Sequence, residues 1–190
     1  MTEHVFSSDV FRVGVVSDTH IPDRARNIPS GLLRALNENK VDLILHAGDI
    51  SIPRVLDDLG EIAPVLAVKG NRDLVFGDNL PLVRVLEING FSVLLTHGHM
   101  GWTSYWMDKF QNLVSGYRSD RYINRLKNAA PNASIYIFGH SHKSEEIHVD
   151  EKLFFNPGSA TFSMPPGVRK SWGLLTFSGK TFESAIKFVD

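Results

Sequence analysis

Short apolar runs alternate with amphipathic segments through the first half of the chain, a pattern typical of strands and helices in alternation. The runs are mainly aliphatic, as strands covered on both faces should be. They predict strands over Phe11–Val16, Val41–His46 and Ala63–Val68. Helices are predicted over Pro29–Asn39 and over Ser51–Gly60, where Ser51 would be the N-cap and Gly60 the C-terminal stop.

The second half of the chain is richer in hairpin signals. Leu82–Ile88 and Phe91–Thr96 flank Asn89-Gly90, a dipeptide strongly associated with tight hairpin turns. Aromatic residues at helical spacing predict a helix over Trp102–Leu113, and a second helix is predicted over Ser119–Ala130. Further strands are predicted over Ser134–Phe138, Glu145–Val149, Leu153–Phe155, Trp172–Phe177 and Thr181–Val189. Together these elements predict two mixed sheets packed face to face, with helices outside, in one domain over residues 1–190.

Composition and charge narrow the class of protein. The 190 residues are 43% apolar and 22% charged, as in an ordinary globular protein. A net charge of −1 argues against nucleic acid or a membrane surface as the main partner. The absence of cysteine excludes disulfides, thiolate metal sites and cysteine nucleophiles. Met1–Val10 has acidic residues and no long apolar run, so we expect no signal peptide and a cytoplasmic location.

Polar clusters follow five of the predicted strands, at the point where each strand ends. Ligands of open α/β sheets bind at this edge, so side chains from these clusters are expected to converge. Gly48, Gly70 and Gly139 stand beside the polar residues, where a glycine permits close backbone approach. The clusters are Ser17-Asp18-Thr19-His20, Ala47-Gly48-Asp49, Lys69-Gly70-Asn71-Arg72-Asp73, Thr96-His97-Gly98-His99 and Gly139-His140-Ser141-His142.

These residue types indicate divalent metal ions. Asp18 and His20 are two positions apart, as are His140 and His142, so each pair points to one side of an extended backbone. Oxygen and imidazole ligands without cysteine suit manganese, our preferred metal, or nickel, zinc, iron or cobalt. Seven candidate ligands are too many for one ion but suit two ions that share a carboxylate, an arrangement that holds a hydroxide against a phosphoryl group. Each cluster alone could be a turn or a solvated loop. The occurrence of five such clusters, each at the end of a predicted strand, favours the metal site.

Six motifs together resemble one known family. SDTHIP, HAGD, KGNRD, THGH, GHSH and the late Asn156-Pro-Gly-Ser159 occur in the order found in the calcineurin-like metallophosphoesterase superfamily. The chain is most similar to the small YfcE-type phosphodiesterase branch, over nearly its whole length. The resemblance implies a four-layer α/β/β/α sandwich with a binuclear metal centre at one edge of the sheets. It also implies hydrolysis of a small phosphoester by in-line attack of a metal-bridging hydroxide.

The resemblance assigns roles by position. It implies that one metal is bound by Asp18, His20 and His142, that Asp49 bridges both, and that the second site is completed by Asn71, His97 and His140. Asn71 is also a candidate for a phosphate contact. His99 is either a phosphate contact or a support for a metal ligand, whereas His46, inside an apolar run, is interpreted as a buried, hydrogen-bonded histidine.

Arginine residues distinguish this chain from the superfamily's protein phosphatases. Those members have a histidine after the motif asparagine, where this chain has Arg72. Arginine is a poor general acid but can clamp a phosphate, so we predict a preference for diesters or good leaving groups over protein phosphomonoesters. Arg24 and Arg26 are interpreted as parts of a solvated loop, with a substrate phosphate contact as the alternative.

Other functions on the same fold stay open. The retromer scaffold subunit resembles this branch and is a protein-binding platform with a degraded metal site, whereas here all seven ligand positions keep a ligand type. A phosphomonoesterase is a further alternative, and a nuclease is disfavoured by the neutral charge. The aromatic stripe of Trp102–Leu113 is interpreted as helix packing, with a wall or lid of the site, or a homo-oligomer surface, as alternatives.

Overall fold

A computed structural model describes residues 4–73, 79–98, 119–162 and 167–189. Its strands are β1 (His4–Phe6), β2 (Val10–Val16), β3 (Leu43–His46), β4 (Val65–Ala67), β5 (Val83–Ile88), β6 (Phe91–Thr96), β7 (Ile135–Ile137), β8 (Ser144–Val149), β9 (Lys152–Pro157), β10 (Ser171–Ser178) and β11 (Thr181–Phe188). One sheet has the order β1-β5-β6-β7-β9-β8, and the other has the order β11-β10-β2-β3-β4.

Both sheets mix parallel and antiparallel pairs, as predicted. β2, β3 and β4 are parallel neighbours in one sheet, and β6, β7 and β9 are parallel neighbours in the other. β5 and β6 form the predicted hairpin, with Asn89 and Gly90 at φ angles of 48° and 83° in the turn. Parallel neighbours end at the same edge, so the loops after β2, β3 and β4 lie together, as do those after β6 and β7.

The core between the sheets follows the alternation of side chains along the strands. Val13 and Val15 of β2, and Leu43 and Leu45 of β3, pack against the other sheet in one buried cluster. Phe155 of β9 belongs to the same cluster from the opposite side. Burial of these aliphatic and aromatic side chains is what holds the two sheets face to face.

Helices cover the outer faces of the two sheets. α1 (Ser30–Glu38) and α2 (Arg54–Gly60) pack their buried leucines and valine against the outer face of the β2-containing sheet, where Ile44 lies. α3 (Ser119–Ala129) packs Tyr122 and Leu126 against the other sheet. The layers are therefore α/β/β/α, which confirms the predicted sandwich. Among the described residues, the helices are too short and too polar to cross a membrane.

Several local predictions are wrong or lie outside the described residues. Ser51 is not an N-cap: α2 begins at Arg54 after Pro53, and Ser51 has a left-handed φ of 75°. The Ser51 N–H donates to the Asp73 carboxylate at 2.8 Å, which holds it in the preceding loop. β1 (His4–Phe6) was not predicted, because it lacks the apolar run that marks the equally short β4 and β7. The predicted helix over Trp102–Leu113 lies outside the described residues.

Candidate metal centre

Loops from both sheets bring the seven candidate ligands to one edge of the sandwich. Asp18 and His20 follow β2, and Asp49 follows β3. The remaining four come from the loops after β4, β6 and β7: Asn71, His97, His140 and His142. The predicted convergence of the five loops is therefore observed. His99, the other histidine of the THGH motif, lies outside the described residues.

A first group of ligand-type atoms is formed by Asp18, His20 and His142. The Nε2 atoms of His20 and His142 lie 3.1 Å apart. Asp18 Oδ1 lies 3.3 Å from His142 Nε2 and 3.7 Å from His20 Nε2. Their ligand atoms all lie within 4.8 Å of one another, which is close enough for one ion to contact all three.

A second group adjoins the first. His97 Nε2 lies 3.4 Å from Asp49 Oδ1 and 3.1 Å from Asn71 Oδ1. Asn71 Oδ1 is also 3.0 Å from His140 Nδ1, so one amide oxygen faces two imidazoles. His97 Nδ1–H donates to the Ala47 carbonyl at 2.7 Å, which turns its Nε2 toward the group.

Asp49 lies between the two groups. Its Oδ1 faces His97, while its Oδ2 lies 3.5 Å from His20 Nε2. Its backbone has a left-handed φ of 56°, and its Oδ1 also accepts the Arg72 N–H at 2.9 Å. One carboxylate thus offers an oxygen to each group, as the sequence expectation for a bridging ligand requires.

Glycines allow the loops to approach closely, as predicted. A Cβ at Gly70 would overlap the backbone nitrogen and carboxylate of Asp49. A Cβ at Gly139 would overlap the hydroxyl of Ser17 and lie 2.8 Å from Asp18 Oδ2. A side chain at either position would push a candidate ligand out of the site.

The electrostatics of the site favour positive charge between the carboxylates. Burial alone raises the pKa of Asp18, but the neighbouring His142 and His20 imidazoles outweigh it and hold the pKa well below its usual range. Burial likewise opposes ionisation of Asp49, yet His97 lowers the pKa of Asp49 to about 2. Burial lowers the pKa of His97, whereas the charge of Asp49 more than offsets it and raises that pKa to about 10.

Asp73 was not predicted to have a role, although it closes the KGNRD motif. It is fully buried, and its Oδ1 accepts the N–H groups of Ile50 and Ser51, each at 2.8 Å. Its Oδ2 accepts those of Asp49 and Gly70 at 3.1 and 2.8 Å. Asp73 therefore joins the loops after β3 and β4. Its place at the end of the KGNRD motif is the only feature of the sequence that points to this role.

The late Asn156-Pro-Gly-Ser159 motif supports two ligand loops, in agreement with its interpretation as a structural turn. Asn156 Nδ2 donates to the Gly139 carbonyl and to Ser141 Oγ, both at 3.0 Å. Ser159 Oγ donates to the Asp18 carbonyl at 2.8 Å. These bonds fix the His140–His142 loop and the Asp18–His20 loop relative to each other.

His46 is a buried, hydrogen-bonded residue, as the sequence analysis expected. Its Nδ1 accepts the Gly48 N–H at 3.2 Å, and its Nε2 lies 3.2 Å from Thr19 Oγ1. Burial lowers the pKa of His46 to about 3, so the imidazole is neutral. Both ring nitrogens therefore have partners inside the protein.

The residues present fit divalent ions. Asp18 Oδ1 is buried and has no hydrogen-bond partner, although an unpaired buried carboxylate oxygen is costly. Two of the three separations in the first group, 3.1 and 3.3 Å, are those of neighbouring ligands around one ion, since bonds of about 2.1 Å place adjacent ligands about 3.0–3.4 Å apart; the third is 3.7 Å. Nitrogen and oxygen donors of this kind suit manganese, iron, cobalt, nickel or zinc.

The three arginines near the centre have different surroundings. The Arg72 guanidinium forms a half-exposed ion pair with Asp23 at 3.2 Å. The Arg24 guanidinium lies over the Phe162 ring, 4.5 Å from its centroid. Arg26 is exposed, and its carbonyl accepts a hydrogen bond from Arg54. The predicted clamp residue, Arg72, is therefore at the rim of the site with its guanidinium paired.

Two stacked mixed sheets with histidines and carboxylates at their shared edge place this chain among α/β/β/α proteins with a candidate metal site. Residues 11–180 match the calcineurin-like phosphoesterase superfamily domain. The chain therefore belongs to that superfamily, as its motifs suggested. It is 38% identical over 149 residues to a probable metallophosphoesterase of Methanothermobacter thermautotrophicus, an alignment that covers 78% of this chain and 77% of the relative.

Solved structures with the same fold include proteins named for vacuolar sorting. Vacuolar protein sorting 29 from Cryptosporidium parvum has a TM-score of 0.73 and 23% identity, with 96% of this chain and 100% of that chain covered. Wild-type Vps29 from Entamoeba histolytica, solved in complex with zinc, has a TM-score of 0.67 and 27% identity, with 95% of this chain and 100% of that chain covered. At 23% identity, the similarity to the Cryptosporidium parvum structure concerns the fold alone.

Proposed function

We propose that this chain is a binuclear metal-dependent phosphodiesterase that hydrolyses a small phosphoester. The observation that carries the proposal is the position of Asp49, whose two carboxylate oxygens face two separate groups of ligand-type atoms. A single domain suffices for this function, because the loops of both sheets already meet at one edge. Manganese is our preferred metal. A cytoplasmic location stays a prediction.

In this proposal each metal has a defined set of protein ligands. Asp18, His20 and His142 would hold one ion, and Asp49 would offer one carboxylate oxygen to each ion. Asn71, His97 and His140 hold the second ion, with Asn71 Oδ1 already facing both imidazoles. Divalent ions bound there would supply an activated water for attack at phosphorus and positive charge against the phosphoryl oxygens.

The remaining residues orient the ligands and the substrate. Ala47 accepts the Nδ1 proton of His97 and so keeps Nε2 available as a ligand atom. Asn71 and His99 are the candidate phosphate contacts. Arg72 clamps the ester once the substrate phosphate replaces Asp23 as the ion-pair partner of its guanidinium. Arg72 cannot protonate a leaving group at neutral pH, so we expect diesters and good leaving groups to react fastest.

A non-catalytic, protein-binding scaffold is the second candidate function. It is favoured by the likeness to the vacuolar protein sorting 29 structures. The probable metallophosphoesterase of Methanothermobacter thermautotrophicus has a higher identity to this chain than those structures have, and it supports the proposal of an enzyme. A protein that binds metal yet hydrolyses no ester in the panel below would favour the scaffold.

The decisive experiment combines metal analysis with an ester panel. Wild-type protein loaded with manganese is expected to bind two ions and to hydrolyse bis(p-nitrophenyl) phosphate faster than phosphoserine peptides. Asp49→Asn is expected to lower kcat at least about 100-fold and to bind fewer ions, since the shared carboxylate is lost. Asp58→Asn removes an acidic charge from the surface of α2. It is the matched control and should keep wild-type turnover.

Three results would contradict the proposal. Full activity after exhaustive chelation would remove the metal from the mechanism. Retained turnover in Asp49→Asn would remove the shared carboxylate from it. Faster hydrolysis of phosphoserine peptides would make the assignment of diester preference to Arg72 wrong.

A further inference from the structure

Arg24 and Phe162 form a stacked cationic pair beside the proposed metal centre. The Arg24 guanidinium stacks on the Phe162 ring, with Cζ 4.5 Å from the ring centroid. The Phe162 ring in turn contacts His142 edge to face, at a centroid separation of 6.5 Å. The guanidinium is thus separated from a candidate metal ligand by one aromatic ring.

Hydrogen bonds attach both residues to the loops that hold the ligands. The Arg24 N–H donates to the His20 carbonyl at 2.8 Å, so the arginine closes the turn that begins at His20. The Phe162 N–H donates to Ser159 Oγ at 3.1 Å. The adjacent Thr161 hydroxyl donates to the Thr19 carbonyl at 2.6 Å. The stacked pair is therefore positioned by the same backbone that positions Asp18 and His20.

Arg24 has no ion-pair partner among the described residues. Asp23, its neighbour in sequence, pairs with Arg72 at 3.2 Å instead. The chain has a net charge of −1, so this cation does not belong to a generally basic surface. A guanidinium stacked on a ring keeps its N–H donors in its own plane, where they can bind an anion in bidentate fashion.

We infer that Arg24, held by Phe162, binds a second anionic group of the substrate, beyond the phosphoryl group at the metal centre. This inference rests on the proposed function, because the metals are taken to neutralise the reacting phosphate. Arg24 covers a face of Phe162, so the site offers a cation to the ligand rather than that aromatic face. The substrate class is therefore a phosphoester with a further phosphate or carboxylate on its organic part.

Calorimetry on the manganese-loaded protein tests this inference with two probes. Adenosine 3′,5′-bisphosphate has a second phosphate that adenosine 5′-monophosphate lacks. We expect the wild type to bind the bisphosphate about tenfold more tightly, as a charge-assisted contact implies. Arg24→Gln should remove this preference, and Arg24→Lys should restore only part of it because it lacks the planar fork.

Two further variants separate a positioned cation from general charge. Arg26→Gln removes the same charge from an exposed neighbour in the same loop and should keep the wild-type preference. Phe162→Leu keeps every charge but removes the stack, and should reduce the preference severalfold. Equal losses in Arg24→Gln and Arg26→Gln would overturn the inference, as would equal wild-type affinities for the two probes.

The outcomes also separate this inference from the proposed function. Preferential binding of the bisphosphate without hydrolysis of any ester would sustain the subsite and contradict the phosphodiesterase. Hydrolysis of bis(p-nitrophenyl) phosphate with equal affinities for the two probes would sustain the phosphodiesterase and contradict the subsite.

Discussion

Unusual backbone conformations allow single residues to face the candidate metal centre. Five of the seven candidate ligands have left-handed φ angles, between 46° and 72°: Asp18, His20, Asp49, His140 and His142. Each such angle costs a residue other than glycine about 1–2 kcal/mol. Local bonds offset part of this cost, since the Asp18 N–H donates to Gly48 and the His140 N–H donates to Asp18 Oδ2. Conformational strain concentrated in one place is typical of functional sites.

Acid should destabilise the protein through His46. The folded state holds the pKa of His46 at about 3, whereas the unfolded chain takes up a proton near pH 6.5. The unfolded state therefore binds more protons as pH falls, and the free energy of unfolding should fall by up to about 1.4 kcal/mol per pH unit below pH 6.5. Urea unfolding of metal-free wild type and His46→Gln between pH 7 and 4.5 measures the difference.

His46→Gln is the informative variant because glutamine can still donate to Thr19 but does not titrate. Its stability should fall less steeply than that of the wild type over this range. Parallel curves for the two proteins would show that His46 is not held neutral in the folded state.

Contacts between loops determine the arrangement of the elements at the site. β3 and β4 are adjacent parallel strands, yet strand pairing alone leaves the loops beyond them unconstrained. The Asp73 carboxylate supplies the constraint by accepting four backbone N–H groups from the two loops. A carboxylate suits this position because it has acceptors on both oxygens and no donor to oppose the amides.

Asp73→Asn should therefore weaken metal binding without touching a metal ligand. The new NH₂ group replaces one acceptor oxygen, so two backbone amides lose their partner at a cost of about 1–3 kcal/mol each. We expect metal affinity to fall about 10–100-fold by calorimetry, with a lower midpoint of urea unfolding. Asp58→Asn, on α2, is the control for loss of an acidic charge. Unchanged affinity in Asp73→Asn would mean that the loops hold their places without this residue.

The two sheets meet at the candidate metal centre as well as in the core. Asp18 comes from one sheet and His142 from the other, and they lie 124 positions apart in the chain with atoms 3.3 Å apart. Buried side chains such as Phe155 hold the sheets together over most of their area. At the edge, buried carboxylates and histidines take the place of apolar contacts, so this edge is less stable without a cation.

Metal should consequently stabilise the whole protein against heat. At a metal concentration about 100 times the dissociation constant, binding contributes about 2.7 kcal/mol. For a chain of this size that corresponds to a rise in Tm of about 5–10 °C. Thermal scans with manganese and with chelator measure the shift, and Asp49→Asn should show a smaller one. An unchanged Tm on chelation of the wild type would contradict metal binding at this edge.

Local patterns predicted most strands and the ligand loops. The apolar runs are long enough to show their period, and ligand-type residues follow them directly, so the loops after β2, β3, β4, β6 and β7 could be identified. Ser51 shows where such reasoning fails: its position suggests an N-cap, but the Asp73 carboxylate, 22 residues away, holds it outside the helix. β1 was missed for a different reason: it has no apolar run, whereas β4 and β7, with three residues each, lie within one.

Which loops and side chains meet was decided by the packing of the two sheets. The amino-acid sequence indicates that Arg24 lies in the loop after the first polar cluster and that Arg72 lies in the cluster after β4. It does not specify that Asp23 pairs with Arg72, 49 positions away, and leaves Arg24 to stack on Phe162. Contacts between distant residues depend on how strands are ordered in the sheets, and no local period contains that order.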